Sequence, residues 1–373
     1  MEKLRVCAVP FGTKDIPVIM NLTEFTLEYV IGAVVTPAGI GLENKDIGVI
    51  ENRNELGYLV TSNLEESIRS CDIVLILEKE AFTPLYDYGI KAMEEAIRQE
   101  KDIICLLKLT KETKRQYEDI CRKKNINFRC ILPDKLPPNS PKETTESFYH
   151  PYAPVIIIGE LAEEVQGFEV FCNLVKRFGS QGINVSAIAA EAANGLFGLH
   201  TIDFSDTKGE LSSRIYRINH YIREIEEWEN PELIIIKLPK PMIKFDEDVR
   251  YDFGLSAYMI AQAISASYFI VCSPYGFFNH EFWEPLSNNF EAKFGYGIDA
   301  IHISNKIIDN TNEMDKDKLN FVHMPAWKAQ EAILQVAGET SFLLGDFTDL
   351  YQLEKVADEI NSTLLQAPYG LIQ

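Results

Sequence analysis

Four consecutive β-branched residues, Val155-Ile156-Ile157-Ile158, open the stretch that most constrains this chain. A run so short and so branched reads as a buried strand rather than a helix. Gly159 ends it, Glu160 to Gly167 reads as a loop, and Phe168 to Phe178 reads as a helix. Within that helix Phe168, Phe171, Cys172 and Val175 recur at i, i+3, i+4 and i+7, the spacing of one helix face. Gly179 and Gly182 stop it, and Ile183 to Ala189 supplies another apolar strand. Strand, loop, helix and strand in this order make a βαβ unit. Its first loop lies where nucleotide-binding folds place their phosphate cradle.

The residues of a phosphate cradle are absent from that loop. A P-loop brackets four residues with glycines and continues into Lys and Ser/Thr, because backbone N–H groups and the Lys charge hold polyphosphate. Here seven residues separate Gly159 from Gly167, and Phe168-Glu169 replaces Lys-Ser/Thr. Glu160, Glu163 and Glu164 add negative charge where phosphate would sit; two like charges ~4 Å apart repel by about 4 kcal/mol at an effective dielectric of about 20. Two readings follow: a P-loop position that has lost its P-loop, or an ordinary βαβ unit with an acidic surface loop. Neither implies ATP hydrolysis, and no cofactor is expected.

The rest of the chain repeats this α/β grammar. Leu4 to Val9, Glu28 to Val35, Asp72 to Leu77, Asp102 to Leu107 and Phe128 to Leu132 read as strands. Helices are expected over Leu64 to Ser70, capped by Ser62 or Asn63, over Tyr86 to Gln99 and over Lys111 to Lys124. Alternation at these spacings implies a parallel sheet covered on both faces. Residues 1–132 therefore read as a Rossmann-like N-terminal domain. Pro133, Pro137, Pro138 and Pro141 then exclude a helix interior or a central strand, so 133–150 reads as a proline-rich linker, docked back by Phe148, Tyr149 and Tyr152. Residues 151–373 read as a P-loop-like α/β domain without the Walker lysine. After the βαβ unit it has helices over Leu211 to Trp228, Phe253 to Ala266 and Phe282 to Phe294, with a last one over Asp349 to Leu364. Strands are expected over Leu233 to Ile236, Phe269 to Cys272, Ile298 to Ile303 and Phe321 to Met324, and a polar loop over Asp309 to Lys318. The fold class is thus α/β, two Rossmann-like or P-loop-like domains with mostly parallel sheets.

Composition narrows the partners. The chain has 373 residues and is 46% hydrophobic, ample for two cores. Its net charge of −20 disfavours nucleic acid and anionic membrane, which bind through Lys and Arg, and is compatible with a basic peptide or with solubility alone. It has no apolar run long enough to span a bilayer, and its first residues lack a signal-peptide core, so a cytoplasmic location is expected. The seven cysteines show no Cys-x-x-Cys spacing and the six histidines no metal-ligand spacing. No metal site is expected, and free thiols fit a reducing compartment.

In an open parallel sheet, ligands bind beyond the carboxyl ends of the strands. Four strand-end loops are expected to converge there: Glu160–Gly167, Glu191–His200, Leu238–Met242 and Ser273–His280. Together they offer Asn194, Phe197, His200, Lys237, Lys240, Tyr275, Asn279 and His280 as a candidate cleft. His280 beside Glu281 is a candidate acid/base pair, although a lone histidine beside aromatic residues is more often structural, and no residue is assigned a catalytic role. Tyr275, Phe277, Phe278, Phe282 and Trp283 crowd one strand end. That density reads either as an exposed interface patch including Tyr275, Phe278 and Trp283, or as a packed corner.

Several segments together resemble a known family. Val34-Val35-Thr36-Pro37-Ala38-Gly39-Ile40-Gly41, Lys45-Asp46-Ile47-Gly48, Leu56-Gly57 and Cys71-Asp72-Ile73-Val74-Leu75 resemble the N-terminal domain of a clostridial peptide maturation system protein family. Asp252-Phe253-Gly254, Asn194-Gly195-Leu196-Phe197-Gly198-Leu199-His200 and Lys293-Phe294-Gly295-Tyr296 resemble its second domain. Members accompany radical-SAM enzymes in gene clusters for ribosomally made peptides. The resemblance implies an accessory protein that binds the precursor peptide or its radical-SAM maturase, and the aromatic stretch Tyr275–Trp283, read as an interface, would face such a partner or a second copy of the chain. It carries no catalytic motif. The alternative is a degenerate nucleotide- or small-molecule-dependent enzyme acting on the peptide.

Overall fold

The computed structural model describes residues 3–51, 53–136, 148–204, 209–276, 280–309, 319–336 and 342–365. The chain divides into two compact units, Met1–Pro133 with Glu191–Thr201, and Asp134–Ala190 with Ile202–Gln373. Both are α/β with mostly parallel sheets.

The first unit holds β1 (Leu4–Val9), β2 (Tyr29–Val35), β3 (Val60–Thr61), β4 (Ile73–Ile76), β5 (Asp102–Cys105) and β6 (Phe128–Cys130). Its helices are α1 (Ile16–Phe25), α2 (Ile47–Ile50), α3 (Leu64–Arg69), α4 (Pro84–Arg98) and α5 (Lys111–Lys123). The sheet order is β3-β2-β1-β4-β5-β6, the dinucleotide-fold order, with the direction of winding reversing between β1 and β4. Every residue of β4 is buried, as expected for a strand covered on both faces. Of the two caps the sequence offers α3, Asn63 is used: its side chain accepts the Glu66 N–H at 3.3 Å. Thr83 caps α4 in the same way, through Tyr86 N–H at 3.2 Å, with Pro84 at the first helical position.

The second unit is built on β7 (Asp134–Lys135), β8 (Val155–Glu160), β9 (Val185–Ala189), β10 (His200–Asp203), β11 (Leu233–Lys237), β12 (Tyr268–Ser273), β13 (Ala300–Ile303) and β16 (Leu343–Gly345). Their order is β16-β13-β12-β8-β11-β9-β10-β7. The expected strand at Phe321 is β15 (Phe321–His323), paired antiparallel with β14 (Lys306–Ile308) outside the main sheet. Helices α6 (Gly167–Ser180), α8 (Leu211–Glu229), α9 (Leu255–Ala263), α10 (His280–Phe294), α11 (Ala326–Val336) and α12 (Leu350–Ile360) surround these strands in sequence, while α7 (Ala192–Leu196) belongs to the first unit. β8 is central and parallel to both β11 and β12, and Ile156, Ile157 and Ile158 are fully buried. Each such side chain contributes about 1.5–3 kcal/mol of burial, so this strand anchors the unit. From β8 the chain goes out to β9 and β10 and returns to β11 beside β8 on one side, then continues through β12, β13 and β16 on the other. The carboxyl end of β8 is therefore a topological switch point.

The linker expected over 133–150 is partly sheet. Asp134 and Lys135 pair with Ile202 and Asp203 at the sheet edge, where the neighbouring prolines cost no ladder hydrogen bond. Residues 137–147 lie outside the described residues. Tyr149 docks as expected, its N–H donating to Asn219 Oδ1 at 3.0 Å and its hydroxyl bonding Glu226, whereas Tyr152 is 88% exposed.

Candidate functional site

The switch point of the second unit carries its own anion. Glu160 ends β8, and its Oε1 accepts the N–H of Gly167, the first residue of α6, at 3.0 Å. Its Oε2 lies 3.2 Å from Nζ of Lys237, the last residue of β11. Both side chains are buried, at 10% and 4% exposure. A helix N-terminus presents unpaired N–H groups and partial positive charge, which is why phosphate binds there in nucleotide folds. In this chain a carboxylate takes that place and a lysine from the neighbouring strand neutralises it.

This corrects the reading of an exposed acidic loop. Leu161, Ala162 and Val165 are buried, Glu160 faces inward, and Glu163 is paired to Lys240 at 2.9 Å. The reason is local. A loop whose apolar residues pack inward draws its first carboxylate with them, and burial is tolerated because Lys237 and the helix N-terminus compensate the charge. Gly159 serves packing. A Cβ there would stand 2.3 Å from Met242 Sδ, so the glycine makes room for the segment after β11, whose Met242 N–H donates to Glu160 O at 3.0 Å.

Cys272 on β12 stands in register beside Glu160, and His302 on β13 beside Cys272. All three are buried. His302 Nδ1 accepts the Phe347 N–H at 3.0 Å and lies 3.8 Å from Asp346. Burial, aided by the Glu160 charge and opposed by Lys237, pushes the Cys272 thiol well above its ordinary range. Burial of this thiol disfavours its nucleophilic thiolate form.

The first unit repeats the arrangement at its own switch point. Asp15 precedes α1, its Oδ2 accepts the Gly12 N–H at 2.7 Å, and Lys79 Nζ lies 2.6 Å away. Burial raises the Asp15 carboxyl, against the opposing pull of Lys79 and the Gly12 N–H. Beside it the Glu78 carboxyl accepts the Ala192 N–H at 2.9 Å. Although Glu78 as a residue keeps solvent exposure, burial of its carboxyl, helped by the charges of Glu191 and Asp15 and opposed by the Ala192 N–H and Lys79, pushes it up to about 7. The sequence reading missed Asp15, Glu78 and Lys79. Their one signal is position: Glu78-Lys79 directly follows the apolar run Ile73 to Leu77, at a carboxyl strand end.

The structure regroups the candidate residues. The segment expected as a loop over Glu191–His200 forms α7 and the start of β10, and it clusters with the first unit. Asn194 is buried and its Nδ2 donates to the His200 carbonyl at 2.8 Å, closing the turn after α7. Phe197 is 6% exposed and stacks on Phe25 at 4.8 Å, so it is core rather than cleft. His200 is half-buried at the start of β10. Lys240 and Glu163 do meet in the second unit, as an exposed pair. Phe277, Phe278 and Asn279 lie outside the described residues, as does the side chain of His280, which opens α10. Trp283 is fully buried, in edge-on contact with Phe282 at 5.1 Å, and Tyr275 and Phe282 pack against the same core. The described part of the aromatic corner is thus packing: Phe282 and Trp283 in the first turn of α10, and Tyr275 before it, lie in or against the core of the second unit. Among the described residues no three His, Cys, Asp or Glu side chains come together as a metal site.

No family model matches the chain, and no curated protein matches it. Among solved structures it is similar to a DUF1611 family protein from Anabaena variabilis, with 11% identity, 96% of this chain and 100% of that chain covered, and a TM-score of 0.63. It also matches a homoserine dehydrogenase from S. aureus over 35% of this chain and 32% of that one, with 16% identity and a TM-score of 0.27. At such identities only the first likeness carries weight, and it carries the fold alone: two α/β units with mostly parallel sheets.

Proposed function

We propose that this chain is a non-catalytic accessory protein in the maturation of a ribosomally synthesised, post-translationally modified peptide, and that it binds the precursor peptide or its radical-SAM maturase. One observation carries the non-catalytic half: the phosphate position at the β8–α6 switch point is filled by Glu160, bonded to Gly167 N–H and to Lys237. A ligand phosphate there would have to displace a buried, paired carboxylate, and uncovering either partner of such a pair costs about 3–5 kcal/mol. The resemblance of the Thr36–Gly41, Lys45–Gly48 and Asn194–His200 segments to peptide maturation proteins supplies the biological setting. A net charge of −20 suits a basic peptide partner. None of the described helices is long and apolar enough to cross a membrane.

The test combines calorimetry with ATP and GTP and a pull-down using a radical-SAM maturase and its precursor peptide. No measurable nucleotide binding, with retention of the maturase or its precursor peptide, is the expected result. Micromolar nucleotide affinity that is lost on changing Gly159 would favour the second reading, a degenerate nucleotide-dependent enzyme. The position of β8 at a switch point is what keeps that reading open.

A further inference from the structure

Two thiols face each other at one edge of the first unit's sheet. Cys105 ends β5 and Cys130 ends β6, and the two are direct partners in the parallel register. Adjacent strands lie about 4.7–4.9 Å apart, inside the roughly 4.4–6.8 Å span of Cα atoms that a disulfide bridges. Register partners in a parallel pair point to the same face, here the face covered by α5, and the two thiols are hydrogen-bonded. β6 is the outermost strand, so it has a partner on one side only and can adjust to the bond geometry.

We propose that Cys105 and Cys130 form a reversible dithiol–disulfide pair, with Cys130 as the thiol that attacks peroxide and Cys105 as the resolving thiol. The division of roles follows from access. Cys105 is buried and Cys130 is half-buried. It follows also from charge, since the Cys105 thiol donating to Cys130, together with the Lys114 ammonium, lowers the Cys130 thiol, while the same bond and burial raise Cys105. Burial of the Cys130 thiol and, less strongly, the Glu118 carboxylate, also on α5, oppose this lowering. Cys7 and Cys71 make a second thiol pair, but both are buried, so peroxide has no comparable entry there.

The chemistry balances with hydrogen peroxide as the oxidant. The Cys130 thiolate attacks one peroxide oxygen and the O–O bond breaks. This gives a sulfenic acid and hydroxide, and the hydroxide leaves as water with the proton that Cys130 had released. Cys105 sulfur then attacks Cys130 sulfur, an S–S bond replaces the S–O bond, and the hydroxyl leaves as a second water with the Cys105 proton. Two thiols are oxidised by two electrons and one peroxide is reduced. A bond reached through the half-buried Cys130 is open to thiol–disulfide exchange, so a dithiol reverses it.

The full chain, treated with peroxide, alkylated and digested with trypsin, reads this directly. The two cysteines fall in separate peptides, 102–108 and 130–135, neither of which holds another cysteine. The expected result is a cross-linked pair of these peptides, with loss of both alkylation sites and return of both after dithiothreitol. In Cys105→Ser, Cys130 should be trapped as sulfenic acid by dimedone; in Cys130→Ser the cross-link should vanish, with an unchanged circular dichroism spectrum marking either variant as folded. The proposal is overturned if wild-type Cys130 proceeds to sulfinic or sulfonic acid while Cys105 stays a free thiol. It is overturned equally if Cys7 and Cys71 cross-link and this pair does not. The wild-type map decides the matter even where a variant fails to fold.

Discussion

Lys237 and Lys79 do the same work in two unrelated sequence contexts. Each neutralises a carboxylate held at the start of a helix, and each is itself almost out of water, with side-chain exposures of 4% and 9%. Removing one partner of such a pair leaves the other charge buried and uncompensated. Lys237→Met is therefore expected to lower stability by about 3–5 kcal/mol in urea denaturation, and Glu160→Gln in the same chain should recover most of it. A single variant within the error of wild type would mean that the pair contributes nothing. Glu78 is an acid whose folded pKa lies above its unfolded value. Its folded form keeps the proton between the ordinary glutamate range and about 7 while the unfolded form has lost it, so its contribution to stability is full at low pH and is lost as pH rises through that window. Solvent exposure of the residue keeps the change within about 1 kcal/mol. Glu78→Gln, which can still accept the Ala192 N–H, should flatten the stability profile between those limits. A profile that keeps its slope in the variant assigns the effect to another group.

Elements differ in how plainly they stand in the sequence, and the reason is whether their signal is local. β8, α6 and β9 are legible because four β-branched residues and an i, i+3, i+4, i+7 stripe need no knowledge of neighbours; Phe171, Cys172 and Val175 are buried as that stripe requires, and only Phe168 sits at its rim. α1 escapes the same reading. Ile16-Pro17-Val18-Ile19 begins with a proline and lacks a polar face, so nothing local distinguishes it from a loop or strand start. β10 and β16 are short, and the pairing that makes them strands lies with partners distant in sequence. The pairing of Glu160 with Lys237 is invisible for the same reason: their types and strand-end positions can be read, but the adjacency of β8 and β11 cannot. Trp283 shows the limit of density arguments. Five aromatics in one stretch predict contact area, and only the tertiary fold decides that the Trp283 ring lies in the core.

At the scale of the whole chain, the division into units does not follow a single cut. The segment Glu191–Thr201 lies beyond β9 in sequence and yet clusters with Met1–Pro133. Phe197 stacks on Phe25, Ala192 N–H bonds Glu78, and a Cβ at Gly195 would press on Ile131, so α7 is part of the first unit's packing. A sequence reading places a boundary where proline and charge accumulate, because that signal is local, and it has no means of assigning a later segment back across it. The consequence can be tested in the intact protein. Truncating a buried Phe costs about 3–5 kcal/mol, and in Phe197→Ala that loss falls on the first unit. Amide exchange should therefore speed up in α1 and β2, while β8, β11 and β12 keep the protection of wild type. Faster exchange confined to the second sheet, or spread evenly through both, would place α7 with the second unit and undo the division argued from Phe25 and Glu78.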